Sequence, residues 1–225
     1  MPSLTVENYV KAIYQIVVDQ QGRPAATGQI AAALEVSPGT VTSMLKTLSE
    51  SSLVRYTRYE GVSLTSAGEA LALRVVRRHR LIELFLAKTL DLNWDEVHEE
   101  AEHMEHAVSD LLIDRIDAWL GNPLVDPHGD PIPRSDGSLL EREGRSLSEC
   151  EPGYRFRLAR VRDQSPEFLR YLTEAGLVLG AAGEVLALRP AAGTITIRTG
   201  EIENTLGREA AEKLFVTPED RSSPA

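Results

Sequence analysis

The order of local signals at the start of this chain constrains its fold more than any other feature. Leu4, Tyr9, Ile13, Ile16 and Val17 recur at helical spacing through residues 4–18. Asp19-Gln20-Gln21-Gly22-Arg23-Pro24 then stops that helix with turn formers. A short helix is expected over Thr27–Leu34. Next, Ser37 offers an N-cap hydroxyl and Pro38 a first-turn residue to a helix reaching about Ser51. That helix buries Val41, Leu45 and Leu48, and turns Gly39, Thr40, Thr42, Ser43 and Lys46 outward. Leu53–Leu64 reads as strand, turn and strand, and Thr65-Ser66-Ala67-Gly68-Glu69 as a helix cap. Helix, short helix, helix and hairpin, each at the right length, is the order of a winged helix-turn-helix.

Double-stranded DNA is the partner such a module implies. The expected contacts are Thr27, Ser37, Pro38, Gly39, Thr40, Thr42, Ser43 and Lys46 around the third helix, with Arg55, Arg58 and Tyr59 on the wing. Small side chains of this kind suit thymine methyls and phosphates more than bidentate guanine readout. Charge distribution agrees. The net charge is −10, yet residues 1–80 hold nine Lys/Arg against six Asp/Glu. Residues 81–120 hold two against eleven. A mildly basic head suits phosphate, and a strongly acidic middle suits cations.

Two long helices are expected beyond the head, over 67–90 and 93–120. The second carries an apolar stripe of Leu111, Leu112, Ile116, Trp119 and Leu120. Helices of this kind suit a homodimer, which a reader of two-fold operators requires. Residues 121–150 are rich in Gly, Pro and Ser and read as an irregular connection. Short strands follow over Tyr154–Val161, Gly183–Pro190 and Gly193–Thr199, with a helix near Ser165–Ala175, as in a small SH3-like barrel. The fold class is thus mainly α with a β C-terminal domain. The expected organisation is a DNA-binding domain over 1–72 and a helical dimerisation and metal-binding domain over 73–140. A linker over 141–151, the SH3-like domain over 152–217 and a disordered tail over 218–225 complete it. No apolar run is long enough for a membrane span, and Met1-Pro2-Ser3 lacks the order of a secretory signal, so a cytoplasmic location is expected. The one cysteine, Cys150, sits in a polar stretch and permits no disulfide framework within the chain.

The acidic middle points to metal. His79 and Glu83 lie one turn apart. On the next expected helix, with about 100° per residue and His98 as zero, Glu102 falls near 40°, Glu105 near −20° and His106 near 80°. Those four share one face, whereas Glu99, Glu100 and His103 fall at or beyond its edge. Carboxylates and imidazoles crowded on one face repel and cost desolvation unless a cation joins them. Such donors suit manganese, ferrous iron or zinc more than copper(I).

Several stretches resemble the diphtheria-toxin-repressor-like metalloregulators, and the resemblance covers nearly the whole chain. They are Glu7-Asn8-Tyr9, Ser37-Pro38-Gly39-Thr40-Val41-Thr42, Leu64-Thr65-Ser66-Ala67-Gly68, Arg78-His79-Arg80-Leu81-Ile82-Glu83, Val97–His106 and Pro127-His128-Gly129-Asp130-Pro131-Ile132-Pro133. The last two are the most specific. The resemblance implies a metal-dependent repressor that binds operator DNA as a homodimer, with two metal sites per subunit and no organic substrate. One site would use His79, Glu83 and His98, completed by Gln164 and Glu167 from the third domain. The other would use Asn8 with Glu102, Glu105 and His106. Iron-sensing members place sulfur at the positions of Asn8 and Glu102, so Glu102 leans towards Mn(II), with Fe(II) as the alternative. Lys11 stands where some manganese members carry a carboxylate, which argues against a closely coupled binuclear site. A di-metal helical-bundle enzyme is the rival class, but the chain has no second Glu-x-x-His.

Overall fold

The structure is a computed structural model describing residues 3–57, 60–140 and 144–219. The expected wing contacts Arg58 and Tyr59, the linker residues 141–143 and the tail beyond Glu219 lie outside the described residues. The chain divides into two compact units. One comprises Met1–His79, His103–Asp110 and Pro133–Leu139; the other comprises Arg80–Glu102, Leu111–Ile132 and Leu140–Ala225.

In the first unit, α1 (Leu4–Asp19) is capped by Ser3, whose hydroxyl accepts from the Val6 N–H. Helices α2 (Thr27–Ala33) and α3 (Pro38–Glu50) follow, and then strands β1 (Val54–Thr57) and β2 (Gly61–Leu64) pair antiparallel. The apolar positions meet in one core: Tyr9, Val10 and Ile13 of α1 against Ile30, Val41, Leu45, Leu48, Val54 and Val62. Each such buried side chain contributes about 1.5–3 kcal/mol of transfer free energy, so this core fixes where α3 stands. Helix α4 (Ser66–Leu90) starts where expected. The Thr65 hydroxyl accepts from the Gly68 N–H, and a Cβ on Gly68 would stand 2.0 Å from the Leu53 carbonyl oxygen. Only glycine fits there.

The expected helix over 93–120 is two helices, α5 (Val97–Met104) and α6 (Asp110–Trp119). The Ala107 and Val108 N–H groups both turn back to the Met104 carbonyl, and Glu105 is fully buried. The inward pull on Glu105 and the helix-starting Ser109-Asp110 pair break the run. Of the expected stripe on α6, Ile116 is buried beside Ile113, whereas Leu111, Leu112 and Trp119 are 69%, 50% and 63% exposed.

The second unit contains a six-stranded antiparallel sheet of order β3-β8-β4-β5-β6-β7. Its strands are β3 (Arg145–Ser146), β4 (Arg155–Val161), β5 (Ala182–Arg189), β6 (Thr194–Thr199), β7 (Ile202–Gly207) and β8 (Leu214–Pro218). Helices α7 (Pro166–Glu174) and α8 (Arg208–Glu212) join them. Phe156, Leu158, Val161, Leu169, Leu172, Val185, Ile197 and Leu214 fill the core. The residues expected as a linker are partly structural: β3 pairs β8, and Leu147 and Cys150 are buried in this core. Cys150 is therefore a packing residue, and burial pushes its thiol up from 9.0.

The connection over 121–150 is irregular, but not solvated throughout. Asp126, His128 and Asp130 are buried, and the His128 carbonyl accepts from the Val161 N–H of β4. Gly129 makes this approach possible: its φ is +87°, and a Cβ there would stand 2.1 Å from the Ala159 carbonyl oxygen.

Candidate metal centre

Each unit gathers a cluster of buried ionisable side chains. In the first, α1 contributes Glu7, Asn8 and Lys11, α4 contributes Arg78 and His79, and the turn after α5 contributes Glu105 and His106. The Lys11 ammonium donates to Glu105 Oε2 at 2.7 Å and lies 3.1 Å from His79 Nδ1. His79 Nδ1 is 2.6 Å from the same carboxylate oxygen. On the other side, His106 Nδ1 is 2.7 Å from Glu7 Oε2. A carboxylate only accepts, so in the neutral ring Nδ1 carries the hydrogen and Nε2 presents its lone pair. His106 Nε2 stands 3.1 Å from Glu105 Oε1, yet neither atom has a hydrogen-bond partner among the described residues. Asn8 Oδ1 is buried in the same condition. Arg78 spans Glu7, at 3.8 Å, and Asp110, at 2.6 Å, and holds the Asp110 carboxyl below its usual range.

In the second cluster, Glu83 Oε1 lies 3.1 Å from His98 Nδ1, and Glu83 Oε2 lies 3.9 Å from His128 Nδ1. Glu83, Asp126 and His128 each bring one donor atom to within 4.8 Å of the others, all three fully buried or nearly so. His128 Nε2 is 2.7 Å from the Trp94 carbonyl, so Nε2 bears a hydrogen, and in the neutral ring Nδ1 is the lone-pair nitrogen. That Nδ1 and Asp126 Oδ2 are buried without a hydrogen-bond partner among the described residues. Burial, then the charges of Glu83 and Asp130, push the Asp126 carboxyl well above 3.8. Arg80 stands 3.6 Å from Asp126 and 3.9 Å from Asp130, which also pairs with Arg160.

Asn8, Glu105 and His106 do occur together, but Glu105 and His106 sit in a turn, so the helical angles assigned to them do not apply. Glu102 remains on α5, half-buried, with its Oε1 3.9 Å from His98 Nε2, whereas His103 is exposed. His79, expected with Glu83 and one turn before it on α4, has its Nδ1 2.6 Å from Glu105 Oε2. Gln164 donates to Asp130 Oδ2 at 2.7 Å, and Glu167 is exposed in the first turn of α7. Glu7, Asp126 and His128 were not among the expected ligands. His128 had a visible signal, as one of five histidines, between a proline and a glycine in a recognisable stretch.

Both clusters fit a divalent cation. Their donors are carboxylate, amide oxygen and imidazole, a set for manganese, iron(II) or zinc. Buried atoms that have no partner in either cluster are what such an ion would satisfy.

The third helix presents its expected surface. Ser37, Pro38, Gly39, Thr40, Thr42, Ser43 and Lys46 are exposed, as is Arg55 on β1, and Thr27 is half-buried. The Ser37 hydroxyl accepts from the Thr40 N–H at 3.1 Å, and the Thr42 hydroxyl donates to the Pro38 carbonyl at 2.9 Å. No helix among the described residues is long and apolar enough to cross a membrane.

Comparison with known proteins gives three consecutive matches. Residues 1–62 match the iron dependent repressor N-terminal DNA binding domain, 65–134 its metal binding and dimerisation domain, and 145–218 the FeoA domain. The iron-dependent repressor IdeR of Mycobacterium leprae is 36% identical over 129 residues, 57% of this chain and 55% of that protein. This chain thus matches about half the length of that relative. The regulator MntR of Geobacillus thermodenitrificans is 36% identical over 116 residues, 52% of this chain and 80% of its own. A solved manganese-dependent transcriptional repressor in complex with manganese is 39% identical, covers 95% of this chain and 100% of its own, and superposes with a TM-score of 0.85.

Proposed function

The chain belongs to the iron- and manganese-dependent repressor family that includes the diphtheria toxin repressor, and from that premise we propose that it represses transcription by binding operator DNA as a metal-loaded homodimer. The ion is Mn(II), with two positions per subunit. The proposed donors are Asn8, His79, Glu105 and His106 in one cluster, and Glu83, His98, Asp126 and His128 in the other, with Glu102 beside His98. Gln164 acts on the second cluster by orienting Asp130; Glu167 has no part in this reading. A regulator needs no turnover, and no residue is assigned to catalysis.

The observation that carries this reading is the pairing of α1 with the 103–110 segment through Glu7–His106 and Lys11–Glu105, both at 2.7 Å. Helix α1 shares its core with α3. Whatever fixes α1 against His106 and Glu105 therefore fixes the helix that faces DNA. When bound, the ion supplies a divalent charge that draws carboxylate and imidazole donors to one point. Asn8 adds an α1 oxygen to that point, and Glu105 and His106 hold the other side. A dimer reads two half-sites only if its two recognition helices keep a set separation. A dimer whose α1 helices are loosely held populates that geometry only in part, and its affinity falls by the same fraction. The exposed Leu111, Leu112 and Trp119 supply apolar surface for the second subunit.

Mn(II) is preferred to Fe(II) because every proposed donor is oxygen or nitrogen, and the one cysteine is buried in the sheet core. The match to an iron-dependent repressor keeps Fe(II) as the second reading. The test is DNA binding to a promoter fragment with Mn(II), Fe(II), Zn(II) or chelator in parallel. Tight binding with Mn(II) and loss with chelator are expected; equal binding in chelator overturns the proposal.

A further inference from the structure

Between α7 and the turn that precedes α5 runs a groove of about 580 Å³. Its walls all belong to the second unit. Small-molecule sites occupy about 300–1,000 Å³, so the groove has the size of one. None of its side chains is a proposed donor of either cluster. Trp94, Pro127 and Val178 give it apolar surface, and Asp95, Arg170 and Glu174 give it charge.

The walls are tied in place. The Trp94 indole N–H donates to the Thr173 hydroxyl of α7 at 3.0 Å, and that hydroxyl donates to the Leu169 carbonyl at 3.0 Å. Leu169 is fully buried in the core of the sheet domain, against which Trp94 also packs. Arg170 donates to Asp95 Oδ2 at 3.3 Å. A groove held in this way spends little on ordering when a ligand enters.

Its charges do not cancel. Asp95 and Arg170 answer each other, whereas Glu174 has no ion pair among the described residues. Glu174 is the last residue of α7, whose last turn carries no basic residue. The end of a helix adds partial negative charge from its carbonyl groups. The groove thus sets one unanswered negative charge beside apolar surface that includes an indole, the side chain that attracts cations best among aromatics.

We propose that this groove binds a small organic cation, an ammonium group on an apolar body. The body lies against Trp94, Pro127 and Val178, and the ammonium reaches Glu174. The ligand is an effector: no bond is made or broken. The Trp94 carbonyl takes the His128 Nε2 hydrogen at 2.7 Å, and Pro127 precedes His128 in the chain. A ligand that shifts either backbone shifts a donor of the second cluster, so cation and metal ion change each other's affinity by the same factor. This link, unlike the groove's own preference, rests on the assignment of the second cluster under the proposed function.

The test is calorimetric titration of the full metal-free chain with phenethylamine and with 3-phenylpropionate, which share an apolar body and differ in charge. Saturable binding of the amine is expected, at least about tenfold tighter than the acid. Glu174→Gln should weaken the amine about threefold to fivefold and narrow its lead over the acid. Val178→Arg, at a position 45% exposed and so tolerant of a longer side chain, should fill the groove and abolish binding. No binding of the amine, equal binding of the acid, or full amine binding in Val178→Arg overturns the proposal. Saturating Mn(II), counted by equilibrium dialysis, should change the amine affinity at least about fivefold in the parent and not in Asp126→Ala with His128→Ala. If the ion binds there and the amine affinity does not move, the link falls. If no ion binds at Asp126 and His128, the assignment of that cluster falls while the groove's preference for the amine stands.

Discussion

Glu105→Ala in the metal-free protein takes from the buried Lys11 ammonium the carboxylate oxygen that accepts its 2.7 Å hydrogen bond. The side chains are 0% and 6% exposed, and their atoms stand 2.7 Å apart. Breaking a buried ion pair from one side costs about 3–5 kcal/mol, because the remaining charge stays desolvated. In a chain of this size each kcal/mol lowers Tm by about 2–4 °C, so Glu105→Ala should lower it by about 6–20 °C. Adding Lys11→Met removes the buried charge and keeps an unbranched chain of similar length. The double variant should then recover to within about 1 kcal/mol of the parent, a coupling of about 2–4 kcal/mol. The assay is thermal and urea unfolding in chelator, followed by far-ultraviolet circular dichroism, since Trp94 and Trp119 both lie in the other unit. Losses that simply add, with coupling below about 0.5 kcal/mol, would refute the reasoning.

Three further outcomes are expected. On the proposed reading Glu102→Ala, beside His98, should weaken manganese-dependent DNA binding more than His103→Ala does, measured by fluorescence anisotropy of a labelled operator; the reverse order refutes the assignment on α5. Lys46→Ala should weaken binding to all sequences alike and reduce the slope of log affinity against log salt by about one; a loss confined to one sequence would mark it as a base reader instead. Folding raises the Asp126 carboxyl above 3.8, so its stabilising contribution is full below that value and is lost as pH rises through the raised one. Metal-free Asp126→Asn should therefore lose less stability than the parent as pH rises above about 4, and parallel pH curves would exclude this.

The winged helix was legible because its signals are local. Ser37 and Pro38 announce α3 by side-chain chemistry within one turn, and Val41, Leu45 and Leu48 announce its buried face by spacing. The break between α5 and α6 was not, because helical periodicity continues through residues that a distant lysine pulls inward. Ser109-Asp110, a pair that starts helices, was the available hint. In the 126–130 stretch, proline and glycine read as exposed turn formers, yet Gly129 serves close approach to β4 and carries His128 into the interior. Strands β7 and β8 and the packing of Leu147 and Cys150 depend on pairings across the sheet, which alternation within one short segment does not encode. The donor types of the two candidate clusters were readable, but the approach of His79 to Glu105, and of Gln164 to Asp130, depends on tertiary placement.

The Trp94 indole lies almost parallel to the His128 ring, 16° from coplanar with centroids 6.2 Å apart, and its carbonyl takes the His128 Nε2 hydrogen. The imidazole is thus a hinge between a chromophore on one face and a ligand position at Nδ1. Any ion drawn to Nδ1 alters the electronic surroundings of that indole directly, and a paramagnetic one shortens its excited-state lifetime. Trp119 instead sets its edge against Phe85, with centroids 5.9 Å apart. An ion at the second cluster would thus be reported by the emission of Trp94, and Trp119→Phe would leave Trp94 as the one tryptophan of the chain.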